Sequence, residues 1–412
     1  MNYDALIIGG GASGLAAACA LALRGRRVAL VEKQARVGRK LLSTGNGRCN
    51  LTNLRADAGD YHGARAAAQA ALKAWPPKRV MAFFDALGVP CVADEAGRVY
   101  PMSRQAASVL DALRLRCDEA GVHTRTEFPV ARLERRGDGF EARTSDGRSA
   151  VGRCALVCAG GLAAPKLGAC GDGYRLLEAF GHRIEPRFPA IAALKTSPEP
   201  VRGLKGIRAE GEIALLADGE ARRVEAGELL FAESGVSGIA AMQLARQAGE
   251  ALARRSRCEI RLSFAPGRDA AVMLRERAER LPMRSMEDFL NGIVPKRLGQ
   301  TLAKAAELAP TRVAGQLSRE ELDRLARTLN GWTLPVSGVQ GFDQAQVTAG
   351  GASLKDFDVR RMASLRAPGL FAAGEVLDVD GDCGGFNLQW AWSSALMAAE
   401  GINEWLRGGD RP

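Results

Sequence analysis

Asp4-Ala5-Leu6-Ile7-Ile8-Gly9-Gly10-Gly11-Ala12-Ser13-Gly14, continued by an Ala/Leu-rich run to Leu23 and then by Val28-Ala29-Leu30-Val31-Glu32, decides the fold. Residues 5–8 read as a short apolar strand, the glycines as a tight turn, the run to Leu23 as a packed helix, and residues 28–31 as a second strand ending on an acid. This is G-x-G-x-x-G inside a βαβ unit with an acid about twenty residues on, the pattern of a dinucleotide-binding Rossmann layer. Each residue type has a physical reason. Gly9 makes the tight turn, Gly11 admits a pyrophosphate close to the backbone, and Gly14 lets helix and strand approach. The helix N-terminus, where Ser13 sits, offers oriented N–H groups to the anion. Glu32 is placed to accept hydrogen bonds from an adenosine ribose, which favours an unphosphorylated 2′-hydroxyl.

The same run could be mistaken for a signal peptide or a membrane span. It follows Asp4 rather than a basic region, and four glycines interrupt it. The economical reading is a buried strand, turn and helix, with no targeting segment and a cytoplasmic location. The chain has 412 residues, a length that suits two or three domains, and it is 47% hydrophobic, which excludes a disordered protein. Nine cysteines without a C-x-x-C pair suggest a reduced protein, and three histidines outside any zinc spacing argue against a metal site. The net charge of +10 is diffuse and by itself names no partner.

Beyond Glu32, residues 36–53 (Arg-Val-Gly-Arg-Lys-Leu-Leu-Ser-Thr-Gly-Asn-Gly-Arg-Cys-Asn-Leu-Thr-Asn) form a polar, cationic, glycine-rich stretch. An extended loop there is able to follow a cofactor's pyrophosphate towards its reactive end. Arg39, Lys40 and Arg48 are the cationic candidates, and they fit the cofactor, a substrate phosphate or solvent. Residues 155–158 give a buried strand ending in Ala159-Gly160-Gly161. No second βαβ glycine motif exists, so a nicotinamide reductant, NAD(P)H, would dock only transiently.

Residues 36–53 resemble the G-R-K-x-L-x-S/T-G-N/G-G-R-C-N-x-T-N signature of the BaiN/RdsA-type flavoproteins, also called YhiN-like or aminoacetone-oxidase-like. Gly168-Ala169-Cys170-Gly171-Asp172-Gly173-Tyr174, Val347-Thr348-Ala349-Gly350-Gly351, Ala373-Gly374-Glu375-Val376-Leu377-Asp378-Val379-Asp380-Gly381 and Gly384-Gly385-Phe386-Asn387-Leu388 are similar to later blocks of that family, in its order. Cys170 stands where the family usually has Ser, and Cys383 where it often has Thr, so neither inherits a family role. The resemblance implies an α/β Rossmann-type, two-dinucleotide-binding-fold flavoprotein with an inserted β-rich and helical domain. It also implies FAD as cofactor.

The expected cofactor set is Gly9, Gly11, Ser13, Gly14, Glu32, Lys33, Arg39, Lys40, Leu41, Asn46, Arg48, Cys49, Asn50, Val130, Ala159, Gly160, Gly161, Asp172, Gly374, Glu375, Asp378, Asp380, Gly385, Phe386, Asn387 and Leu388. Asp378 or Asp380, at a strand exit, would hold the ribityl chain. Backbone N–H groups at Phe386, Asn387 and Leu388 would stabilise negative charge on the reduced flavin.

The domain boundaries expected are 1–188, an inserted barrel-like and helical domain over 189–334, and a closing part from 335 to 412. Residues 64–120 read as helical, with a break at Pro76-Pro77 and a turn at Gly88-Val89-Pro90. A hairpin turning at Asp218-Gly219, a strand over 259–264 and helices over 269–281, 296–308 and 318–329 fill the insert. Residues 385–404 read as a closing helix.

Family branches imply reduction of a uracil C5=C6 bond in 23S ribosomal RNA, reduction of bile-acid intermediates, or oxidation of aminoacetone. Uracil reduction is the leading expectation, with a small-molecule reductase or amine oxidase as the alternative and an FAD-stabilised RNA-binding scaffold behind it. Reduction needs a proton donor, and a thiol near the flavin suits that task. Cys49 is the first candidate, ahead of Cys383 and Cys170. Arg202, Lys205, Arg208, Arg254, Arg255, Arg257, Lys296 and Arg297 in the insert are able to contact an RNA backbone, although a solvated face predicts the same residues. His182 reads as a helix-end residue. The oligomeric state is not legible.

Overall fold

The computed structural model describes residues 2–233 and 235–408, and divides the chain into two compact units. One comprises residues 1–188 and 346–412, of which 409–412 lie outside the described residues; the other is 189–345. The expected return to the first unit at 335 falls inside the strand Trp332–Val339, whose pairing with Cys258–Ser263 and Leu194–Thr196 keeps it in the second unit.

The first unit is built on a mixed sheet whose central strands are parallel. Asn2–Ile8 lies between Ser149–Val157 and Val28–Val31, with Leu370–Ala372 and His123–Arg125 beyond them. Residues 5–8 and 28–31 are buried throughout, as befits parallel strands covered on both faces. The helix Ala12–Ala22 is buried from Ser13 to Ala22, because it lies under the long closing helix Phe386–Leu406. Alanines make that possible, since small side chains let two helices and a sheet approach closely. Among the described residues no helix is long and apolar enough to cross a membrane.

The helical expectation for 64–120 holds for Arg65–Ala74, Pro77–Ala86 and Ala106–Glu119. It fails between them. Cys91–Ala93 and Arg98–Pro101 form a hairpin that pairs with Thr52–Asn53. A partner distant in sequence decides those strands, and local periodicity does not reveal it.

The second unit contains a closed six-stranded barrel: Leu194–Thr196, Gly235–Ser237, Glu220–Ala232, Arg208–Ala217, Cys258–Ser263 and Trp332–Val339. Closure leaves no free sheet edge. Helices Ala270–Arg280, Lys296–Ala305 and Arg319–Leu329 match the expected apolar spacing.

Candidate active site

Three loops of the first unit converge at the start of the first helix. Gly9 adopts φ 106°, and a Cβ there would stand 2.4 Å from the carbonyl oxygen of Cys158 and 3.0 Å from the Cα of Ala159. At Gly14 a Cβ would come within 1.9 Å of the Gly9 carbonyl oxygen. These two glycines are therefore demanded by backbone packing alone. Gly11 is different. It precedes the helix with an ordinary φ of −80° and no side-chain cap, and a Cβ there would meet nothing within 4 Å. Fold and packing leave that position free to be any residue, and the space in front of the helix's unsatisfied N–H groups stays open.

Glu32 secures this turn. Its Oε2 accepts the Gly10 N–H and its Oε1 the Gln34 N–H, both at 2.8 Å. A carboxylate has further lone pairs, so the ribose contact expected of it stays chemically available. Val130 follows the segment in which Phe128 N–H donates to the Glu32 carbonyl at 2.8 Å, which brings its strand to the same end of the sheet. Lys33 pairs with Asp172 at 2.6 Å, and Arg175 holds the other oxygen of that carboxylate at 2.7 Å. These cations keep the Asp172 carboxyl below its ordinary range against the opposing effect of burial.

Lys40 reaches across to Glu375 at 2.6 Å. Glu375 in turn accepts the Thr348 N–H at 2.9 Å, and the Thr348 hydroxyl accepts the N–H groups of Leu162 and Ala163 at 2.8 and 2.9 Å. Gly161 is pressed against this relay, since a Cβ would lie 2.4 Å from the Thr348 hydroxyl. Gly374 is pressed against Ser13 in the same way, at 2.6 Å. The expected residues Gly9, Ser13, Gly14, Lys40, Ala159, Gly161, Gly374 and Glu375 are thus one cluster. Thr348, which ties Glu375 to the Leu162–Ala163 backbone, lies outside the expected set, because its place depends on a glutamate 27 residues away.

A second cluster surrounds the start of the closing helix, which begins after Gly385 at φ 103° without a side-chain cap. Gly385 must be glycine: a Cβ would meet the Thr52 carbonyl oxygen at 2.5 Å and Asn50 Oδ1 at 2.7 Å. Asn387 turns back onto the preceding loop, its Oδ1 accepting Gly381 N–H at 2.9 Å and its Nδ2 donating to Gly381 C=O at 2.7 Å. Tyr61 hydroxyl donates to the Phe386 carbonyl at 3.1 Å. Asp380 lies in the ladder between Val379–Gly381 and Tyr61–Gly63 and is 1% exposed; Asp378 precedes it and accepts the Ala64 N–H on its carbonyl. A buried network of Thr52, Gln389, Ser393 and the Trp75 carbonyl fastens the 50–53 segment to the helix. Asn50 Oδ1, beside Gly385, is buried without a hydrogen-bond partner.

The closing helix joins the two clusters, because Trp390 donates to the Gly374 carbonyl and Ser394 accepts the Gly374 N–H. From Phe386 to Ser394 the helix rises about 12 Å at 1.5 Å per residue. An extended two-ended ligand, anionic near Gly11 and carrying a donor for Asn50 Oδ1, fits what the residues leave open. Asn46, Arg39 and Arg48 are exposed, and Leu41 is packed into the core. Gly160 is half-buried beside Gly161, and Leu388 lies in the first turn of the closing helix.

The expectation that Cys49 donates the proton is corrected here. Its side chain is fully buried, and burial pushes its thiol up to about 12. It therefore has no surface on which to meet a substrate. Cys170 is exposed at the Lys33–Asp172 pair, and Cys383 is half-buried in the loop before the closing helix.

A glycine cradle at a helix N-terminus, an acid at the end of the second strand and a chain returning to both define a Rossmann-type oxidoreductase. The chain belongs to the HI0933-like protein Rossmann domain family, which matches residues 3–401. It is similar to a 3-dehydro-bile acid delta(4,6)-reductase of Clostridium scindens, at 34% identity over 97% of this chain and 98% of that protein. It is also similar to the ribosomal RNA dihydrouridine synthase of Escherichia coli, at 30% identity over 97% of this chain and 98% of that one. Among solved structures, 3-ketosteroid delta1-dehydrogenase of Sterolibacterium denitrificans shares the fold, with a TM-score of 0.53, 15% identity and coverage of 97% and 99%.

Proposed function

We propose that this chain is an FAD-dependent reductase of an activated C=C bond, reduced in turn by NAD(P)H. The observation that carries the cofactor is Gly11: packing leaves it free to bear a side chain, yet it is bare, beside open helix N–H groups. Gly9, Gly11, Ser13 and Gly14 would hold the pyrophosphate and Glu32 the ribose. Asn50 Oδ1 and the N–H groups of Phe386, Asn387 and Leu388 would face the flavin's pyrimidine edge. FAD, when bound, supplies hydride chemistry. The protein's part is to orient the acceptor, exclude water and deliver the proton.

As acceptor we place first a uridine of 23S ribosomal RNA, supported by the names of two relatives and by the net charge of +10. A small conjugated ketone is the second reading, and one structural observation favours it. Five of the eight insert cations expected on RNA are already paired: Arg202 with Glu199, Lys205 with Glu233, Arg208 with Glu228, Arg257 with Glu259 and Lys296 with Asp288. A groove of about 1000 Å³ in the same unit is lined by Arg261, Arg268, Arg275 and Arg327 but also by Glu212, Asp269 and Asp323, the last paired with Arg275.

The test begins with the purified protein. It should hold FAD and be bleached anaerobically by NADH or NADPH, and protein that takes up no FAD overturns the proposal. Dihydrouridine in 23S rRNA is then mapped in cells with and without the gene, beside turnover of an unsaturated 3-oxo steroid. Loss of one dihydrouridine selects the first acceptor. An unchanged map with steroid turnover selects the second.

A further inference from the structure

We infer that His62, held by Asp382, is the proton donor for the reduction. The inference rests on the C=C-reductase reading above and adds to it the residue that completes the chemistry. His62 Nε2 lies 2.8 Å from Asp382 Oδ1, with both side chains mostly but not wholly buried, at 11% and 18% exposure. The dyad stands at the start of the closing helix. His62 is directly opposite Asp380 in the antiparallel ladder, and the Asp382 carbonyl accepts from Asn387 Nδ2 at 3.3 Å. The Asp382 N–H is held by the Asp60 carbonyl at 3.0 Å. Tyr61, the preceding residue, is sealed in the core and donates to Phe386, so the alternation of the strand turns His62 to the other face.

Four other candidates fall away on geometry, and Cys383, half-buried beside Asp382, is left to the experiment. Cys49 has no exposed surface, and Asp380 is 1% exposed. His123 bonds to Tyr3 at the far edge strand, and His182 is buried against Phe357 and Ser364. Three carboxylates face His62: Asp382 directly, Asp60 through its field, and Asp380 across the ladder.

The step balances. A hydride, drawn originally from the reduced nicotinamide, arrives at one carbon of the C=C bond. The π electrons take the proton of His62 at the neighbouring carbon, or at a conjugated oxygen that then tautomerises. One π bond is lost, two C–H bonds form, and the neutral imidazole regains its proton from water.

The experiment compares wild type, His62→Gln, Asp382→Asn and Cys383→Ser as FAD-loaded proteins. Three things are measured: FAD content, the rate of bleaching by NAD(P)H, and reoxidation of the reduced protein by the acceptor that the wild type uses. His62→Gln should hold FAD and bleach within about threefold of wild type, yet reoxidise at least 100-fold more slowly. Asp382→Asn should hold FAD and bleach like wild type yet slow reoxidation at least tenfold, since the imidazole loses the carboxylate that orients it. Nearly normal reoxidation in His62→Gln overturns the inference, most directly if Cys383→Ser is the slow variant. Loss of FAD from both His62→Gln and Asp382→Asn also overturns it, in favour of a role in shaping the loop. A wild type that holds no FAD sinks the reductase reading and this inference with it. A wild type that works alongside an unimpaired His62→Gln sinks the inference alone.

Discussion

The helix that starts after Gly11 and the helix that starts after Gly385 both begin without a side-chain cap, but they are held in different ways. At the first, backbone meets backbone. Gly9 and Gly14 touch carbonyl groups, and only glycine fits. At the second, side chains drawn from residues 50–62 and 381–387 hold the loop, through Asn53, Tyr61, His62, Asp382 and Asn387. The first site is therefore legible in one local motif, whereas the second exists only when distant segments meet. A pyrophosphate needs little more than bare N–H groups, whatever the side chains. The reacting end needs a particular acceptor, acid and shape.

The sharpest way to break this comparison is Gly14→Ala. Its Cβ would overlap the Gly9 carbonyl, so the helix must leave the sheet, and we expect insoluble protein or the loss of several kcal/mol in chemical denaturation. Gly11→Ala should behave in the opposite manner. The fold has room for the methyl group, so the melting temperature of the cofactor-free protein should stay within about 2 °C. FAD affinity, measured by fluorescence quenching, should fall at least tenfold. If Gly11→Ala binds FAD normally, the cradle is not a cofactor site.

At the second helix, Asn387→Ala removes the hydrogen bonds to the Gly381 N–H and C=O. A loss of about 1–3 kcal/mol is expected in urea unfolding. The loop should loosen while the first cradle keeps its shape. A smaller effect concerns pH. His182 is buried and its folded pKa is lowered, chiefly by desolvation, so the unfolded chain binds the extra proton first. Stability should therefore decline as pH falls through and below the unfolded histidine value near 6.5. His182→Phe should flatten that part of the pH–stability curve. Least of all, Cys49→Ala should leave reoxidation by the acceptor within about threefold, because the thiol is sealed from any substrate.

Much of the fold was readable because its signals are local. Ala/Leu content, glycine spacing and an acid after a strand all lie within residues 4–32. The hairpin at Asp218-Gly219 and the three helices of the insert announced themselves by turn chemistry and apolar period. The strands at Cys91–Ala93 and Arg98–Pro101 did not, nor did the short barrel strands Leu194–Thr196 and Gly235–Ser237, because partners far along the chain stabilise them. Candidate residues divide along the same line. Gly9, Gly11, Gly14 and Glu32 stand where the motif put them. Thr348 and His62 gained their places from contacts with Glu375 and Asp382, more than twenty and three hundred residues away respectively.

The amino-acid sequence by itself determined a Rossmann layer and a helix N-terminus made ready for an anion, since those depend on backbone sterics within one βαβ unit. Only the tertiary structure decided which polar side chains are usable. It sealed Cys49, joined Lys40 to Glu375 and set His62 against Asp382. Burial and the approach of distant charges govern whether a group can meet a ligand or hold a proton, and neither is written in the spacing of residues along the chain.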